Sequence, residues 1–449
     1  MTESGGSTTG TPKIRAEGLK KHFLSNDDLL SRMNPFEEDQ HVKAVDGVDF
    51  EIAPGEAFGV AGESGCGKTT LGKTLVRLSE ASAGSIYFDG VDITENVEAI
   101  GGEANFRTEA QIIHQDPYKS INPRFTVFKW IKEPLDIHDW GTREEKEAHV
   151  METLERVGLK PAEAYVSEYP SELSGGERQR VGIARAIVLE PSFLVADEPA
   201  SMLDVSIRAS VLELLEDLQE SMDLAILYIS HDLSLLKHMC DRLAIMYLGR
   251  IVEIGDAHEL IDDPQHPYTQ AMVSSTPIID PHEDRQPIKL EGEVPDPIDV
   301  PTGCRFHPRC PKLIQPADFS FDQDEWLAVA TLRRDLVWDE LDFTNEVEAE
   351  IEHAEDPVKS MREALQDKYG VPGQLSDPDA ERTLAMAIDE FVTGDESSAR
   401  ERLETTFTTR CEQPPMEMID LGPGRKARCA LYEEETEEMS VPSETVDAD

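Results

Sequence analysis

The sequence predicts an α/β fold built on a mostly parallel sheet, and three observations carry that prediction. Short apolar runs alternate with helical stretches over the first 290 residues, the pattern of strands joined by crossover helices. The apolar run Ala57 to Ala61 passes directly into Gly62-Glu63-Ser64-Gly65-Cys66-Gly67-Lys68-Thr69-Thr70 and then an amphipathic stretch, the strand-turn-helix setting that a phosphate-binding loop requires. A second apolar run, Phe193 to Ala196, ends on the paired carboxylates Asp197 and Glu198.

Taken in order, residues 1–12 are rich in Gly, Ser and Thr. They read as a disordered start with none of the basic-then-apolar pattern of an export signal. Residues 13–276 form the α/β unit. Ser25 to Gln40 is a polar excursion between two early strands, and Ala57 to Ala61 is the first buried strand. Between Asn122 and Ser171 the character turns helical, as in Glu144 to Val157, which predicts a helical subdomain over about 116–190 inserted into the α/β core. Phe193 to Ala196 and Leu224 to Ile229 are further buried strands, while Leu243 to Tyr247 and Ile251 to Ile254 flank Leu248-Gly249-Arg250 as a hairpin. Prolines 277, 281, 287, 295, 297 and 301 mark an extended linker. Residues 312–410 have helical spacing with 25 acidic against 10 basic residues, and the acidic stretch 433–449 reads as disordered.

The 91 acidic residues against 42 basic ones give a net charge of −49, spread from Glu17 to Asp449, with 17 Lys against 25 Arg. Such a surface repels a phosphate backbone and argues against nucleic acid as a partner. Carboxylates distributed over a whole chain read as adaptation to high salt, where the Debye length shrinks to about 3 Å at 1 M and self-repulsion is damped, the alternative being an ordinary acidic protein with disordered acidic segments. An apolar fraction of 39% is enough for a packed core. No run reaches the roughly 18 apolar residues of a membrane span, so a soluble cytosolic chain is expected. Six cysteines in 449 residues do not make a disulfide framework.

The chemistry follows from the motifs. Glycines let backbone N–H groups curl round phosphates at a helix N-terminus. Lys68 is placed for the β- and γ-phosphates, and Thr69 for Mg²⁺, while Cys66 reads as a packing residue. Asp197 and Glu198 stand at the carboxyl end of a buried strand, where open α/β sheets bind ligands. There Asp197 suits Mg²⁺ through water and Glu198 suits orienting or deprotonating the attacking water. Upstream, Leu173-Ser174-Gly175-Gly176-Glu177-Arg178-Gln179-Arg180 opens a helix with bare N–H groups and a hydroxyl, a second anion site in a chain that needs only one for its own nucleotide.

With these residues the sequence resembles the ATP-binding-cassette (ABC) ATPases, whose signature segment in one subunit closes over ATP held by another. The resemblance implies a P-loop ABC-type core, with a RecA-like sheet plus an antiparallel β part and an inserted helical signature subdomain. Ser174, Gly175, Gly176 and Glu177 would act in trans, with Glu177 in place of the commoner Gln. Gln115 resembles the Q-loop residue that touches Mg²⁺ or the attacking water. Ser201-Met202-Leu203-Asp204 resembles the D-loop and His231 the switch histidine. Phe23 falls where an aromatic stacks on adenine, and Val45 where an apolar residue packs beneath it.

Asp263 to Thr269, Gly292 to Pro295 and Gly303 to Pro311 narrow the resemblance to oligopeptide/dipeptide importer ATPases with their C-terminal extension. In this chain the extension is split: 277–311, an acidic helical insert at 312–410, and 411–432. Cys304, Cys310, Cys411 and Cys429 belong to it. Four thiolates suit an iron–sulfur cluster, zinc, or no metal at all, with His307 as a substitute ligand, and the spacing leaves these open. Family resemblance favours [4Fe–4S], and a redox-sensing role for the module is a further reading. The implied partners are a copy or paralogue of the ATPase, two integral-membrane permeases and an extracellular substrate-binding protein, at the cytoplasmic face of the membrane. Nickel or another small solute is the alternative cargo. A soluble, non-transport ABC ATPase would call for two cassettes or a long coiled-coil insertion, and neither is visible.

Overall fold

The structure is a computed structural model and describes residues 10–25, 40–116, 122–276, 287–290, 292–338, 354 and 356–433. Most of the expected N-terminal disorder, most of the polar excursion, part of the linker and the acidic tail beyond Glu433 lie outside the described residues. The strands in chain order are β1 (Ile14–Leu24), β2 (His41–Ile52), β3 (Ala57–Ala61), β4 (Ala83–Phe88), β5 (Val91–Asp92), β6 (Ala110–Ile113), β7 (Phe193–Asp197), β8 (Ala225–Ile229), β9 (Arg242–Tyr247), β10 (Arg250–Asp256), β11 (Ile419–Gly422) and β12 (Arg425–Ala427). They form a four-stranded antiparallel sheet, β2-β1-β4-β5, and an eight-stranded sheet, β11-β12-β10-β9-β3-β8-β7-β6.

The centre of the larger sheet is parallel: β3 pairs with β8 and β9, and β7 with β6 and β8. These strands are apolar without alternation because both faces are covered. Phe58, Val60, Phe193, Val195, Leu227 and Ile229 pack towards the antiparallel sheet. Ala57, Ala61, Leu194, Ala196, Ile226 and Tyr228 pack on the other face, in the core shared with the helical subdomain.

That subdomain comprises the helices Val127–Ile137, Arg143–Arg156 and Gly175–Ile187. Thr142 and Glu145 form a reciprocal capping box at the start of the second, and Ser174 and Glu177 one at the third. The expected hairpin is present as β9 and β10, paired antiparallel. The sequence reading did not foresee that residues 419–427 would form a second hairpin and add it to the core sheet through β10 and β12.

Residues 312–410 contain the helices Gln323–Val337, Pro357–Tyr369, Pro378–Val392 and Glu396–Thr406. They gather an apolar core of their own around Trp326, Leu332, Leu384, Leu403 and Phe407, which Leu313 and Cys411 join at its boundary. The halves of the extension on either side are drawn together, with Cys304 N–H donating to the Cys411 carbonyl at 2.8 Å. The reunited extension is anchored by charge. Arg305, buried, pairs with Asp46 of β2, and Arg425 of β12 reaches the buried Glu253 of β10 at 3.4 Å. Among the described residues only three carboxylates, Asp46, Asp197 and Glu253, are buried, so the rest of their acidic surplus is at least partly open to solvent.

Candidate functional site: a phosphate-binding loop facing paired carboxylates

The loop after β3 is shaped by contacts that exclude side chains. A Cβ on Gly67, whose φ is +108°, would stand 1.9 Å from the Ala44 carbonyl oxygen, and one on Gly62 would stand 2.2 Å from that of Met246. Only glycine accepts both the conformation and the close approach. The helix Lys68–Leu75 begins directly after Gly67, aiming its free N–H groups into the loop. Lys68 is buried, and its ammonium donates to the carbonyls of Gly62 at 2.7 Å and Glu63 at 2.9 Å. Cys66 is also buried, and that burial raises its pKa above the usual thiol value, as befits a packing residue.

The carboxyl end of β7 lies opposite. The Thr69 hydroxyl donates to Asp197 at 3.0 Å. Burial pushes the Asp197 carboxyl above its ordinary range, only partly offset by that hydrogen bond, so a cation here would relieve a real desolvation cost. Glu198 sits at φ +46°, a sparsely populated conformation for a non-glycine residue. Its N–H is held by the Ile229 carbonyl at 2.9 Å. The Glu198 carboxylate accepts from the Gln115 amide at 2.6 Å and meets His231 Nδ1 at 3.0 Å. Gln115, Glu198 and His231, distant in sequence, are therefore brought into direct contact.

Phe23 lies on β1 and is 42% exposed, with the Lys21 ammonium 4.9 Å from its ring centre. Val45, on β2, is fully buried in the core that the antiparallel sheet shares with the larger one. Of the remaining loop residues, Ser64 and Gly65 line, with Glu63 and Cys66, one wall of a cavity of about 1300 Å³. The opposite walls are the 293–302 segment and the insert helix Gln323–Val337. Thr70 lies in the first turn of the helix that follows the loop.

The signature segment is a separate constellation. Ser174 caps its helix, and its hydroxyl donates to Glu177 Oε2 at 2.7 Å. Tyr165 donates to the other oxygen of Glu177 at 3.3 Å, and these hydrogen bonds, the Ser174 one foremost, hold that carboxyl below its ordinary range. A Cβ on Gly175 would stand 3.6 Å from the Leu203 side chain, and one on Gly176 only 2.5 Å from that of Ile207. Ser201 donates to the Glu198 carbonyl at 3.1 Å, and Asp204 caps the helix Val205–Met222. The Ser201–Asp204 turn thus runs from the carboxylate site to the signature helix, leaving Met202 and Val205 exposed.

The sequence reading missed two residues that touch the loop. Tyr268 accepts a hydrogen bond from the Glu63 N–H at 2.9 Å, and Arg309 pairs with the Glu63 carboxylate at 3.1 Å. Both lie more than 200 positions away, and no local signal joins them to it.

The four extension cysteines are all buried, and their thiol pKa values are raised by burial, Cys304 and Cys429 up to about 12. Cys304 feels Cys411 and Cys429 electrostatically, and Cys310 feels all three of the others. His307 Nδ1 donates to the Cys304 carbonyl at 2.9 Å and belongs to no metal-holding group among the described residues. Among the described residues no group of three or more His, Cys, Asp or Glu side chains is arranged to hold a metal ion. The expectation of zinc or a cluster at Cys304, Cys310, Cys411 and Cys429 therefore finds no ready-made ion site in this fold.

A glycine-shaped loop with its lysine, a strand-end carboxylate pair met by a glutamine and a histidine, and a capped signature helix define an ATPase of the ABC class. Residues 45–201 match the family described as ABC transporter, and residues 252–315 match the family described as oligopeptide/dipeptide transporter, C-terminal region. Residues 323–422 match a family described only as a domain of unknown function. The chain is 47% identical over 300 residues to the oligopeptide transport ATP-binding protein AppF of Bacillus subtilis, spanning 66% of this chain and 89% of that one. It is 45% identical over 305 residues to the dipeptide transport ATP-binding protein DppF of Haemophilus influenzae, spanning 68% and 90%. Among solved structures, the ATP-binding cassette MJ0796 in its dimeric state bound to ADP and Pi aligns with 54% of this chain and 98% of its own, at a TM-score of 0.47 and 22% identity. The chain belongs to the family of ATP-binding subunits of oligopeptide/dipeptide ABC transporters. These residues fit ATP with Mg²⁺: a cradle closed to side chains, a buried lysine, and a desolvated Asp197 beside Thr69.

Proposed function

We propose that this chain binds and hydrolyses ATP to power uptake of oligopeptides or dipeptides through separate membrane permeases. The observation that carries the chemistry is the contact of Glu198 with both Gln115 and His231 at the end of β7. In phosphoryl transfer the protein chiefly positions groups and stabilises charge. Lys68 and the loop N–H groups bind the triphosphate. Thr69, Asp197 and Gln115 are the residues that would hold Mg²⁺, which would neutralise charge on the phosphates. Glu198 orients the attacking water and takes its proton, while His231 fixes the carboxylate from the other side.

In this reading two subunits, copies or paralogues, pair so that Ser174, Gly175, Gly176 and Glu177 of one close over the nucleotide of the other. The exposed Met202 and Val205 beside the signature helix support such a contact. Among the described residues no helix is long and apolar enough to cross a membrane. In this reading transport uses two permease subunits and an external substrate-binding protein, with this chain docked at the cytoplasmic face. Glu198→Gln tests the catalytic assignment: ATP binding persists, turnover falls at least about 100-fold as for loss of a general base, and a closed dimer accumulates in size-exclusion chromatography with Mg-ATP. Retention of near-full hydrolysis removes Glu198 from the role.

For the cysteine module we keep the [4Fe–4S] cluster as the proposal. What supports it is the burial of all four thiols in one module, with Cys304 and Cys411 joined through a backbone hydrogen bond. An anaerobic absorption spectrum with iron and zinc analysis decides it, and colourless protein with substoichiometric iron removes it.

A further inference from the structure

We propose that Arg309 of the extension and Tyr268 of the helix Pro267–Ser275 are positioning residues for the phosphate-binding loop, acting through Glu63. The inference rests on the nucleotide-site reading above. Each polar group of Glu63 has a different partner. Its N–H donates to the Tyr268 hydroxyl at 2.9 Å, its carbonyl accepts from Lys68 at 2.9 Å, and its carboxylate accepts from Arg309 at 3.1 to 3.5 Å. Arg309 also donates to the Tyr247 hydroxyl at 3.4 Å. Tyr247, Tyr268 and Phe306 are fully buried and pack ring to ring, with centroids 4.7 to 5.4 Å apart. The two residues that grip Glu63 are thus themselves seated in a rigid aromatic block, and the Arg309 side chain is only 9% exposed.

Two physical consequences follow. A phosphate-binding loop works through the directions of its backbone N–H groups, so pinning Glu63 on both its N–H and its side chain removes freedom that nucleotide would otherwise have to freeze. An acidic side chain in that loop also repels a triphosphate, and Arg309 neutralises it. Arg309 and Tyr268 therefore govern nucleotide affinity, while the water-activating group at Glu198 is untouched.

The test is titration of the full-length protein with Mg-ATP by calorimetry, at the lowest salt that preserves its circular dichroism, alongside steady-state hydrolysis. Arg309→Ala raises Kd about tenfold and raises KM more than it lowers kcat. Arg309→Lys recovers part of the loss. Arg309→Ala combined with Glu63→Gln binds more tightly than Arg309→Ala alone, because the unpaired carboxylate is gone, and the penalty of the single variant shrinks as salt is added. A purely structural role for Arg309 would give neither the recovery nor the salt dependence. Should Arg309→Ala fail to fold, Tyr268→Phe removes only the hydroxyl that receives the Glu63 N–H and is read in the same titration, with a raised Kd expected. Kd within twofold of wild type in Arg309→Ala, or in Tyr268→Phe where that variant stands in, overturns the proposal, as does a double variant no better than the single one. Lys68→Ala run in parallel separates the two readings: if it loses Mg-ATP while Arg309→Ala does not, only the positioning role falls.

Discussion

Gly67→Ala is the sharpest perturbation of the loop, because the structure says what the added methyl meets. Gly67 has φ +108° and ψ 0°, where a side chain costs about 1–3 kcal/mol in strain. The new Cβ stands 1.9 Å from the Ala44 carbonyl oxygen and 3.0 Å from its carbon. That obstacle is the backbone of β2, which cannot rotate aside. Its neighbours are held by Lys43 N–H to the Pro297 carbonyl at 2.9 Å and Asp46 N–H to the Gly249 carbonyl at 2.8 Å. The loop must therefore retreat by about 1 Å, and a displacement of that size typically costs on the order of 100-fold where reacting groups are aligned. A hundredfold is about 2.7 kcal/mol. Steady-state hydrolysis of Mg-ATP should lose at least that order in kcat/KM, with the far-ultraviolet circular dichroism of the folded protein retained. A folded Gly67→Ala protein that hydrolyses Mg-ATP within threefold of wild type would refute the claim that contact with β2 shapes the loop.

Three further outcomes follow from other parts of the chain. Gly182 lies inside the helix Gly175–Ile187, and among the described residues nothing comes within 4 Å of an added Cβ. Gly182→Ala should raise the denaturation midpoint by the equivalent of about 1 kcal/mol, and an unchanged or lower midpoint contradicts the open space. Asp46 is subject to a burial penalty that raises its pKa, but Arg305, the hydrogen bond with His22 and Arg250 outweigh it and hold the carboxyl below its ordinary range. With a depressed folded-state value, its contribution is fully present above the unfolded value near 3.8 and is lost as pH falls through the lower folded one. Asp46→Asn, which leaves the buried Arg305 unpaired, should cost about 3 kcal/mol at neutral pH and flatten the acid limb below about pH 4, measured by denaturant unfolding across pH. An acid limb identical to wild type contradicts the pairing. Finally, the −49 charge, with all but three of the carboxylates among the described residues at least partly exposed, should make the fold salt-dependent. Dilution from molar salt should lower the thermal midpoint, and a midpoint independent of salt contradicts adaptation to brine.

The strands around the nucleotide loop were legible because local composition decides them. Ala57–Ala61, Phe193–Asp197 and Ala225–Ile229 are buried on every residue and carry no charged residue but the terminal Asp197, as strands covered on both faces must. The loop was legible because Gly62 and Gly67 are the residues its geometry tolerates, and the signature because Ser174 and Glu177 cap each other within one turn. What the one-dimensional pattern could not hold were contacts between segments that only folding brings together. The grip of Arg309 and Tyr268 on Glu63 spans more than 200 residues. The hairpin of β11 and β12 is too short to announce itself, and it forms because β10 offers an edge and Glu253 a buried charge for Arg425.

The sequence by itself determined the chemistry: a lysine in a glycine loop, carboxylates at a strand end and a capped signature helix, each written in fewer than ten consecutive residues. The tertiary structure decided how the pieces act on one another. It placed Gln115 and His231 on Glu198, rejoined an extension split by a hundred-residue insert, and set that extension against the phosphate-binding loop. The physical reason is that caps and turns are settled by neighbouring residues, whereas paired charges and close backbone approaches exist only where distant segments are packed into one core.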